Sequence, residues 1–438
     1  MHILFLTDNF PPEVNAPASR TFEHCRDWVK AGRQVTVVTC VPNFPKGKVF
    51  EGYRNRLWQV EEMEGIRVVR VWSYITANQG FLKRILDYQS FMVAAMLAAP
   101  FVGRVDVIVG TSPHFFTVCA AYVASRAKRV PFVFELRDLW PESIRAVGAM
   151  RDSTVLRWVE RLELFLYRKA AAVVAVTHAF RDNLIRRGID GTKIHVVTNG
   201  VDVGRFRPCG KDTKLSRELG LDGRFVAGYI GTHGLAHALE TLLEAADRLR
   251  KMPDGDRYRL LMLGDGATKQ ALVVQAKRLG LDNVVFVDSV PKHEVVRYWS
   301  LLDVSIIHLK KTDLFTTVIP SKLFECMGMG IPVLHGVAGE SANLVECEGV
   351  GIVFEPQNAQ ALCDGMIRLA SDHELYARLS ANAAKAAERY DRTVLAARML
   401  QVIESTARGC PDEKRSNGGD GALGCPPTNA RVDGERRK

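Results

Sequence analysis

The residues whose types and spacing say most about chemistry lie in the segment PSKLFE, at 320–325. Pro320 suits the first position of a helix, where its missing N–H is not needed, so Ser321 and Lys322 are predicted to lie in the first turn. Free N–H groups, the positive end of a helix and an ammonium group would converge there and suit a diphosphate. Glu325, one turn deeper, could accept hydrogen bonds from the two hydroxyls of a ribose. The alternative is a surface ion pair between Lys322 and Glu325, at i and i+3.

Glycine turns follow several predicted strands, and turns of this kind let backbone N–H groups approach a phosphate. Each turn is a weak signal alone, because glycine also serves ordinary turns. The sequence contains no GxxxxGK[ST] segment and no GxGxxG after its first strand, which disfavours a P-loop NTPase and a nicotinamide or flavin enzyme. The candidate phosphate contacts are Gly231, Thr232, His233 and Gly234 in YIGTHG, with Gly264, Asp265 and Gly266 in LGDG.

Four residues of the first half are further candidates. Arg137 and Asp138 fall at the carboxyl end of a predicted strand, where an arginine could hold a phosphate or sugar oxygen; the alternative is a buried structural network of the two. His114 also follows a strand end, although a lone histidine more often has a structural role. Asn15 could contact the sugar or the phosphate, or could instead cap a helix before Pro17.

The elements that must position these residues follow a repeated pattern. In the first half, short Val- and Ile-rich runs are nearly continuous in apolar character, as expected of strands buried on both faces of a sheet. Helix-length stretches separate most of them, for example 17–31, 115–128 and 152–169. Alternation of strand and helix predicts a parallel sheet covered by helices on both faces. The runs are HILFLT, QVTVVT, IRVVRVW, VDVIVGT, PFVFELRD, AAVVAVT and KIHVVTN.

The pattern restarts after a polar stretch at 209–223. The fold class is therefore α/β, with two doubly wound, Rossmann-like parallel-sheet domains that face a cleft. Ligands of such sheets bind at the carboxyl ends of the strands, where the candidate residues lie. The second set of strands is FVAGYIG, YRLLMLGDG, NVVFVDSV, VSIIHL, PVLHG and GIVFEP, with helices predicted at 236–251, 268–279, 292–301 and 359–370.

The composition agrees with a globular enzyme. The chain has 438 residues, of which 47% are hydrophobic and 25% charged, and this excludes collagen-like, wholly disordered and disulfide-scaffold proteins. Its nine cysteines show no zinc-ligand spacing and fit reduced thiols in a cytosol. The N-terminal HILFLTDNF is interpreted as a first core strand and not as a signal peptide.

The net charge of +10 favours anionic partners and supports two hypotheses. The first is a basic nucleic-acid-binding protein, but no RNP-like aromatic pattern, zinc finger or recognition helix accompanies the charge, so no nucleic-acid partner is expected. The second concerns residues 80–104, whose continuous apolar core of twelve residues is short of the ~20 that span a bilayer. Because Lys83 and Arg84 flank apolar neighbours, we expect this segment to lie in an anionic membrane surface; the alternative is a buried helix of the first domain.

A series of motifs in the chain points to a known family. The series comprises NGVD at 199–202, GYIG at 228–231, LGDG at 263–266, PSKLFECMGMGIPVL at 320–334 and GVGIVFEPQNAQAL at 349–362. It resembles family 4 of the retaining glycosyltransferases, the group 1 transferases with the GT-B fold, and the resemblance covers the chain up to about residue 405. FPPEVNAPASR, PNFPKGKVFEGY and ELRDLWPES further resemble a subgroup of bacterial enzymes that assemble surface polysaccharide, including fucosamine-type transferases.

The resemblance implies a division of roles between the domains. An N-terminal domain would receive the acceptor, a C-terminal domain would bind a nucleotide-sugar, and the last helix would cross back onto the first domain. The expected boundaries are 1–205 and 206–380 for the two domains, 381–407 for the crossing helix and 408–438 for a Gly-, Pro- and charge-rich disordered tail.

The sequence departs from the family pattern in four places, one of which is Asn15 and Ala16 in place of the N-terminal glycine pair of many members. The family's pair of glutamates separated by seven residues keeps its second member, Glu325, but has Thr317 in place of the first. The common Arg and Lys after the GYIG-like turn align with Thr232 and His237, which increases the importance of Lys322. Arg137 occupies a corner where many relatives carry a catalytic or sugar-binding histidine.

The resemblance implies retaining transfer of a sugar, an N-acetylated amino sugar, from a UDP-sugar in O-antigen, capsule or exopolysaccharide synthesis. The acceptor would be a glycan or a polyprenyl-diphosphate-linked glycan at the inner, cytoplasmic face of the plasma membrane. No metal and no cofactor are expected, because helix-end N–H groups and Lys322 would stabilise the departing diphosphate of an oxocarbenium-like transition state. The catalytic candidates are Lys322, Arg137, Asp138 and His114. The main alternative is a non-hydrolysing UDP-sugar 2-epimerase of the same two-domain fold, which needs acid and base residues.

Overall fold

The computed structural model describes residues 1–44, 46–76, 81–139, 154–291 and 293–409. The strands of the first half are β1 (His2–Leu6), β2 (Gln34–Cys40), β3 (Trp58–Met63), β4 (Ile66–Val71), β5 (Val107–Thr111), β6 (Phe132–Leu136), β7 (Ala172–Ala175) and β8 (Ile194–Val196). The helices are α1 (Ala16–Lys30), α2 (Phe81–Ala98), α3 (Phe115–Lys128), α4 (Thr154–Lys169) and α5 (His178–Arg186).

The first half forms one eight-stranded sheet in the order β3-β4-β2-β1-β5-β6-β7-β8. Every neighbouring pair is parallel except β3 and β4, which form an antiparallel hairpin at the edge. On β1, Leu4 packs into the core on one face of the sheet and Phe5 into the core on the other. Burial on both faces explains why this strand is continuous in apolar character.

Strand β3 is the element of this sheet that sequence analysis missed. Its side chains alternate between exposed and half-buried, so WQVEEM lacks the apolar run that marked the other strands. The β3–β4 turn consists of Glu64 and Gly65, with φ of 48° and 80°, the pair of positive φ angles that a two-residue type I′ hairpin requires. The edge strand therefore arises from turn geometry and not from burial.

The second half forms a six-stranded parallel sheet. Its strands are β9 (Phe225–Ile230), β10 (Tyr258–Leu263), β11 (Val284–Val287), β12 (Val304–His308), β13 (Val333–Gly336) and β14 (Gly351–Val353). Its helices are α6 (Thr213–Glu218), α7 (Glu240–Arg250), α8 (Lys269–Leu279), α9 (Val295–Trp299), α10 (Lys322–Met329), α11 (Glu340–Glu348), α12 (Ala359–Ser371) and α13 (His373–Arg389), followed by α14 (Arg392–Arg408).

The strand order of this sheet is β11-β10-β9-β12-β13-β14, so the winding direction reverses between β9 and β12. The first sheet reverses in the same way between β1 and β5. A reversal of this kind opens a crevice at the carboxyl ends of the two strands, where doubly wound sheets bind ligands. The two doubly wound parallel-sheet units predicted from the sequence are confirmed.

The crossing back to the first domain differs from the single helix expected at 381–407. Helix α13 packs on α10 in the second domain, whereas α14 packs on α1 in the first. Between them, Asp391 caps α14 by accepting a hydrogen bond from the N–H of Thr393 at 2.6 Å, and the N–H of Val201 donates to the carbonyl of Tyr390 at 3.0 Å. The helix is interrupted between α13 and α14, where the backbone at 390–391 pairs with the backbone at Val201. The expected tail lies, from residue 410 onward, outside the described residues.

The apolar segment near residue 90 has two faces. One described stretch, Ile85–Val102, is long and apolar enough to cross a membrane by length and composition alone. Within it Phe91 and Ala95 are fully buried in the core of the first domain, whereas Leu97 and Phe101 are 68% and 75% exposed. The segment is thus both a core helix and the carrier of an exposed apolar face.

The cysteines fit the expectation of reduced thiols only in part. Cys347 is disulfide-bonded. The free thiols among the described residues are Cys25, Cys40, Cys119, Cys209, Cys326 and Cys363.

Candidate active site

The centre of the candidate site is the pair of glycine turns that follow β9 and β10. Gly231 and Gly264 both have φ of 144°, a conformation that residues with a side chain rarely adopt. A Cβ atom on Gly264 would overlap the carbonyl oxygen of Gly231. Glycine is therefore required here by backbone conformation and by the close approach of one turn to the other.

The two turns are hydrogen-bonded into one unit. The N–H of Gly231 donates to the carbonyl of Leu263 at 2.9 Å, and that of His233 donates to the carbonyl of Asp265 at 2.9 Å. The N–H of Gly266 donates to the carboxylate of Asp265 at 2.7 Å. The structure thus brings together all seven residues that the sequence singled out in YIGTHG and LGDG.

The same bonds limit which donors a ligand can reach. The N–H groups of Gly231, His233 and Gly264 are already used within the sheet edge. Those of Thr232 and Gly234 have no acceptor among the described residues. In the first turn, 231–234, these two N–H groups are therefore the donors available to an anion.

Helix α10 approaches the turns with its N-terminus. It begins at Lys322, two residues later than predicted, with Ser321 as the N-cap. The N–H groups of Leu323 and Phe324 donate to the carbonyls of Pro320 and Ser321, at 3.0 and 3.2 Å. These i to i−3 bonds make the entry a tight 3₁₀-type turn, so the helix proper starts after the proline.

The side chain of Lys322 folds back from this helix onto β9. Its Nζ lies 3.6 Å from the centre of the Tyr229 ring, and a Cβ on Gly231 would stand 2.9 Å from it. Nζ is buried and has no hydrogen-bond partner among the described residues. The ion pair with Glu325 that was the alternative is therefore absent from the described structure.

Burial determines the electrostatics of this corner. It lowers the pKa of Lys322 to about 7, with Cys326 and Glu325 acting in the opposite direction. It also lowers the pKa of His233 and His237 to about 4, and the nearby lysine charges add to the effect. Both imidazoles are therefore neutral near pH 7, and an anion entering the site meets Lys322 as its titratable partner.

Glu325 lies in the first turn of α10 and is half-buried. Its charge acts on Arg205, whose Nη2 is buried without a hydrogen-bond partner among the described residues. Thr317, where the family has its first glutamate, donates its hydroxyl to the carbonyl of Leu314 at 2.8 Å. Of the family's two glutamates, the second is thus retained as Glu325. Thr317, at the position of the first, hydrogen-bonds within its local 3₁₀ turn.

In the first domain, Asn15 and His114 both hydrogen-bond to Asn9, near the carboxyl ends of β1 and β5. The Asn15 Oδ1 accepts a hydrogen bond from the N–H of Ala18 at 2.8 Å and so caps α1. His114 Nε2 lies 3.2 Å from Asp8 Oδ2 and 3.1 Å from Asn9 Nδ2. The structure shows the capping role for Asn15 and a carboxylate–amide setting for His114.

Arg137 and Asp138 are held by a serine rather than by each other. The hydroxyl of Ser112 accepts hydrogen bonds from the N–H of Arg137 at 2.7 Å and from that of Asp138 at 3.2 Å. The guanidinium of Arg137 reaches the carbonyl of Pro17 at 3.4 Å. Burial lowers the pKa of Arg137 to about 10, partly offset by the charge of Glu135, so the group stays cationic.

Two arginines bind the segment at 197–200 that leads from the first domain to the second. The guanidinium of Arg20 donates to the carbonyls of Val197 and Thr198, at 3.0 and 2.6 Å, and that of Arg392 donates to the carbonyl of Gly200 at 2.9 Å. These arginines bind the connecting segment itself. Arg20 pairs with Glu135, and Arg392 pairs with Glu23.

The comparisons with known proteins agree with this architecture. Residues 15–200 match the family described as glycosyl transferase 4-like domain, and residues 211–386 match glycosyl transferases group 1. The chain carries both domains of a group 1 glycosyltransferase. The subgroup of fucosamine-type enzymes is not resolved by these matches.

Individual relatives are distant but span nearly the whole glycosyltransferase. This chain is 25% identical over 381 residues to the Escherichia coli K12 protein WcaI, which is named as a putative colanic acid biosynthesis glycosyl transferase. The match covers 84% of this chain and 91% of the relative. This chain is also 25% identical over 382 residues to a GDP-mannose-dependent alpha-mannosyltransferase of Mycobacterium tuberculosis, covering 86% and 90%. The crystal structure of Anabaena HepE with UDP and glucose aligns with a TM-score of 0.68 at 19% identity, covering 92% and 100%, which supports the GT-B fold.

The two domains of the glycosyltransferase also contact each other through the side chain of Glu340. The carboxylate of Glu340, at the start of α11, accepts hydrogen bonds from the N–H groups of His178 and Ala179, at 2.8 and 2.6 Å. Those N–H groups form the N-terminus of α5, where negative charge is stabilised. Partial burial raises the pKa of Glu340 above its usual value.

Sequence reasoning missed Tyr229, Lys269 and Glu340. Tyr229 ends in a hydroxyl that donates to the carbonyl of Thr232 at 2.8 Å, so it braces the first turn. Lys269 Nζ donates to the carbonyl of Gly264 at 2.7 Å and braces the second. The available signal for Tyr229 was a hydroxyl-bearing side chain inside the otherwise apolar run FVAGYI. Lys269 and Glu340 have no comparable local signal.

Proposed function

We propose that this glycosyltransferase moves a sugar, with retention of configuration, from a UDP-sugar to a glycan or polyprenyl-diphosphate-linked acceptor. The product would be a bacterial surface polysaccharide such as O-antigen, capsule or exopolysaccharide. The observation that carries the proposal is the buried, unpartnered Nζ of Lys322 beside the turn at Gly231. A buried amine without a partner is costly, and an anionic diphosphate supplies the missing partner.

The donor would lie along the carboxyl edge of β9, β10 and β12. Its diphosphate would contact Lys322 and the free N–H groups of Thr232 and Gly234, while Glu325 would accept hydrogen bonds from the ribose hydroxyls. HepE was crystallised with UDP and the mycobacterial relative is named for GDP-mannose, so relatives differ in base. We propose uracil as the base and an N-acetylated amino sugar as the transferred group.

The chemistry would take place on one face of the sugar. The bond from the anomeric carbon to the diphosphate oxygen breaks, a bond to the acceptor oxygen forms on the same face, and the acceptor proton passes to the departing diphosphate. The chain's contribution would be stabilisation of the growing phosphate charge by Lys322 and by the turn. Arg137, on the opposite domain, would hold a sugar or phosphate oxygen; no metal is assigned a role.

The acceptor would enter from the first domain, past Asn15 and His114. An acceptor on a lipid carrier would bring the enzyme to the inner face of the plasma membrane, as a peripheral cytoplasmic protein. The side chains of Leu97 and Phe101 are apolar and exposed, and the first turn of the same segment carries the exposed Lys83. Both features support this placement, because interfacial segments combine apolar and basic groups.

A thermal-shift screen of UDP-, GDP- and ADP-sugars tests the donor assignment, because a ligand of the folded state raises its melting temperature. UDP-N-acetylhexosamines should give the largest shift. The same donors with and without a lipid-linked acceptor separate transfer from C2 epimerisation by product analysis. A shift from none of the nucleotide-sugars would contradict the proposal.

Sedimentation with anionic vesicles tests the membrane placement. Replacing Leu97 and Phe101 together by serine should abolish sedimentation and leave donor binding intact, since both side chains point away from the core. Val274→Ser, at a 57% exposed position of α8, is the matched control and should sediment like the wild type. Equal sedimentation of both variants would show that this face does not contact lipid.

A further inference from the structure

The Nζ of Lys322 has a setting unlike that of other lysines. In the part of the chain that the structure describes, it is the lysine nitrogen that is buried without any hydrogen bond. Its neighbour is the face of the Tyr229 ring, whose centre is 3.6 Å from Nζ. An aromatic ring attracts an ammonium more weakly than a carboxylate does. The amine therefore packs against an aromatic ring, close to the turn at Gly231, and forms no hydrogen bond with the polar atoms of that turn.

The titratable and charged groups around this amine come from several elements. Two neutral imidazoles, a neutral thiol and a phenol face it, and one carboxylate is the nearest fixed negative charge. Because that carboxylate also interacts with Arg205, its charge is shared. The groups are Tyr229 on β9, His233 and His237 after β9, Cys326 and Glu325 on α10, with Lys269 of α8 behind His233.

The groups around the Lys322 Nζ disfavour an ammonium at this position. Burial lowers the pKa of Lys322 to about 7 and raises that of Cys326 to about 12. Near pH 8, therefore, the Lys322 amine is mostly unprotonated and the Cys326 thiol is protonated, so both side chains are mostly neutral. A diphosphate placed at the Gly231 turn would bring negative charge next to Nζ. Opposite charge at such a distance favours the protonated amine.

We infer that the donor's diphosphate enters this site together with one proton, which the neutral amine of Lys322 takes up to become an ammonium. The proton comes from the solvent, and no bond to the donor is formed or broken in the step. Tyr229 is the positioning residue: its ring holds the amine in place and its hydroxyl fixes the turn through the carbonyl of Thr232 at 2.8 Å. The inference rests on the proposed function, since it assumes a diphosphate donor.

Proton uptake is measured by calorimetric titration of the full chain with UDP-N-acetylglucosamine and GDP-mannose, in buffers of different ionisation enthalpy. The diphosphates of these donors carry no group that titrates between pH 6 and pH 8. Uptake on binding should approach about one proton at pH 8 and fall towards zero at pH 6, where Lys322 is already charged. Affinity should correspondingly fall by up to about tenfold per pH unit above pH 7.

Variants separate the lysine from other titrating groups. Lys322→Met should bind more weakly, without proton uptake and without the alkaline loss of affinity. Tyr229→Phe keeps the ring and should keep the uptake, whereas Tyr229→Leu should shift the affinity profile towards acid pH because the ammonium loses its ring. Lys277→Met, at an exposed site on α8, is the control and should match the wild type.

Two failures are distinguishable. Donor binding that is independent of pH, with the same heat in all buffers, would overturn the coupled proton while leaving the donor assignment in place. Binding of neither nucleotide-sugar at any pH would overturn the proposed function and this inference with it.

Discussion

At the scale of single residues, the structure assigns Lys322 and Glu325 to different surroundings. Lys322 folds back onto Tyr229 beside the glycine turn, whereas Glu325 stays on the helix within range of Arg205. Under the proposed function, the two side chains would therefore contact different parts of the donor nucleotide. Their effects on turnover and on binding should be separable.

Lys322→Ala should weaken donor binding and, in addition, lower kcat by roughly a hundredfold, because the charge on the departing phosphate grows in the transition state. Glu325→Ala should mainly raise KM, by about tenfold, because ribose contacts are made equally in ground and transition states. Steady-state kinetics of both folded variants measures the split. Near-normal kinetics in both would remove these residues from the site.

Sequence spacing predicted where Lys322 lies but not what it contacts. Its position at the start of a helix follows from PSKLFE, since proline and the helix period are local signals. Its contact with Tyr229 joins residues far apart in sequence and depends on how α10 packs across β9. The choice between an ion pair and a diphosphate site therefore needed the three-dimensional structure.

At the scale of elements, the N-terminus of α5 faces a carboxylate, and that of α10 would face the diphosphate of the proposed donor. Helix α10 presents its N-terminus to the proposed donor site, and α5 presents its N-terminus to the carboxylate of Glu340. The second contact joins the domains. It is positioned by the first residue of α11, so it reports how closely the second domain docks on the first.

Glu340→Gln should loosen the contact between the domains, since an amide offers one acceptor oxygen and no charge to the helix end. We expect a several-fold loss of kcat/KM and faster limited proteolysis, with a loss of roughly 1 kcal/mol in stability. Glu346→Gln, exposed on the same helix, is the control. If both variants behave alike, the contact does not influence domain docking.

Sequence patterns located the strands that carry continuous apolar runs and missed the elements without such a run. All thirteen predicted strands are present, including the half-buried edge strands β11 and β14, and the interior strands owe their apolar runs to two-sided burial. Sequence patterns did not predict the edge strand β3 or the break between α13 and α14. The strand depends on the turn at Glu64 and Gly65, and the break depends on backbone pairing with Val201, and neither leaves an apolar pattern in the sequence.

At the scale of the whole molecule, buried histidines link folding to pH. Burial lowers the pKa of His335 to about 3 and those of His233 and His237 to about 4. Between these values and the unfolded value near 6.5, the unfolded chain binds protons that the folded chain does not. Stability therefore rises with pH through this window and is lost as the pH falls.

The free energy of unfolding should fall between pH 6.5 and pH 4, by about 1.4 kcal/mol per pH unit for each such histidine. His335→Leu should remove one share of this slope, because both ring nitrogens of His335 are buried without hydrogen-bond partners among the described residues. His373→Gln, at an exposed position, should leave the slope unchanged. Denaturant titrations across this pH range decide; an unaltered slope in His335→Leu would contradict the account.

The most direct test of the whole account is a crystal structure of the chain with UDP-N-acetylglucosamine, grown in excess EDTA. The account predicts diphosphate oxygens within about 3 Å of the Lys322 Nζ and of the Thr232 and Gly234 N–H groups, with the ribose hydroxyls on Glu325. A nucleotide bound away from this edge of the second sheet, or bound only when a divalent metal is restored, would contradict it.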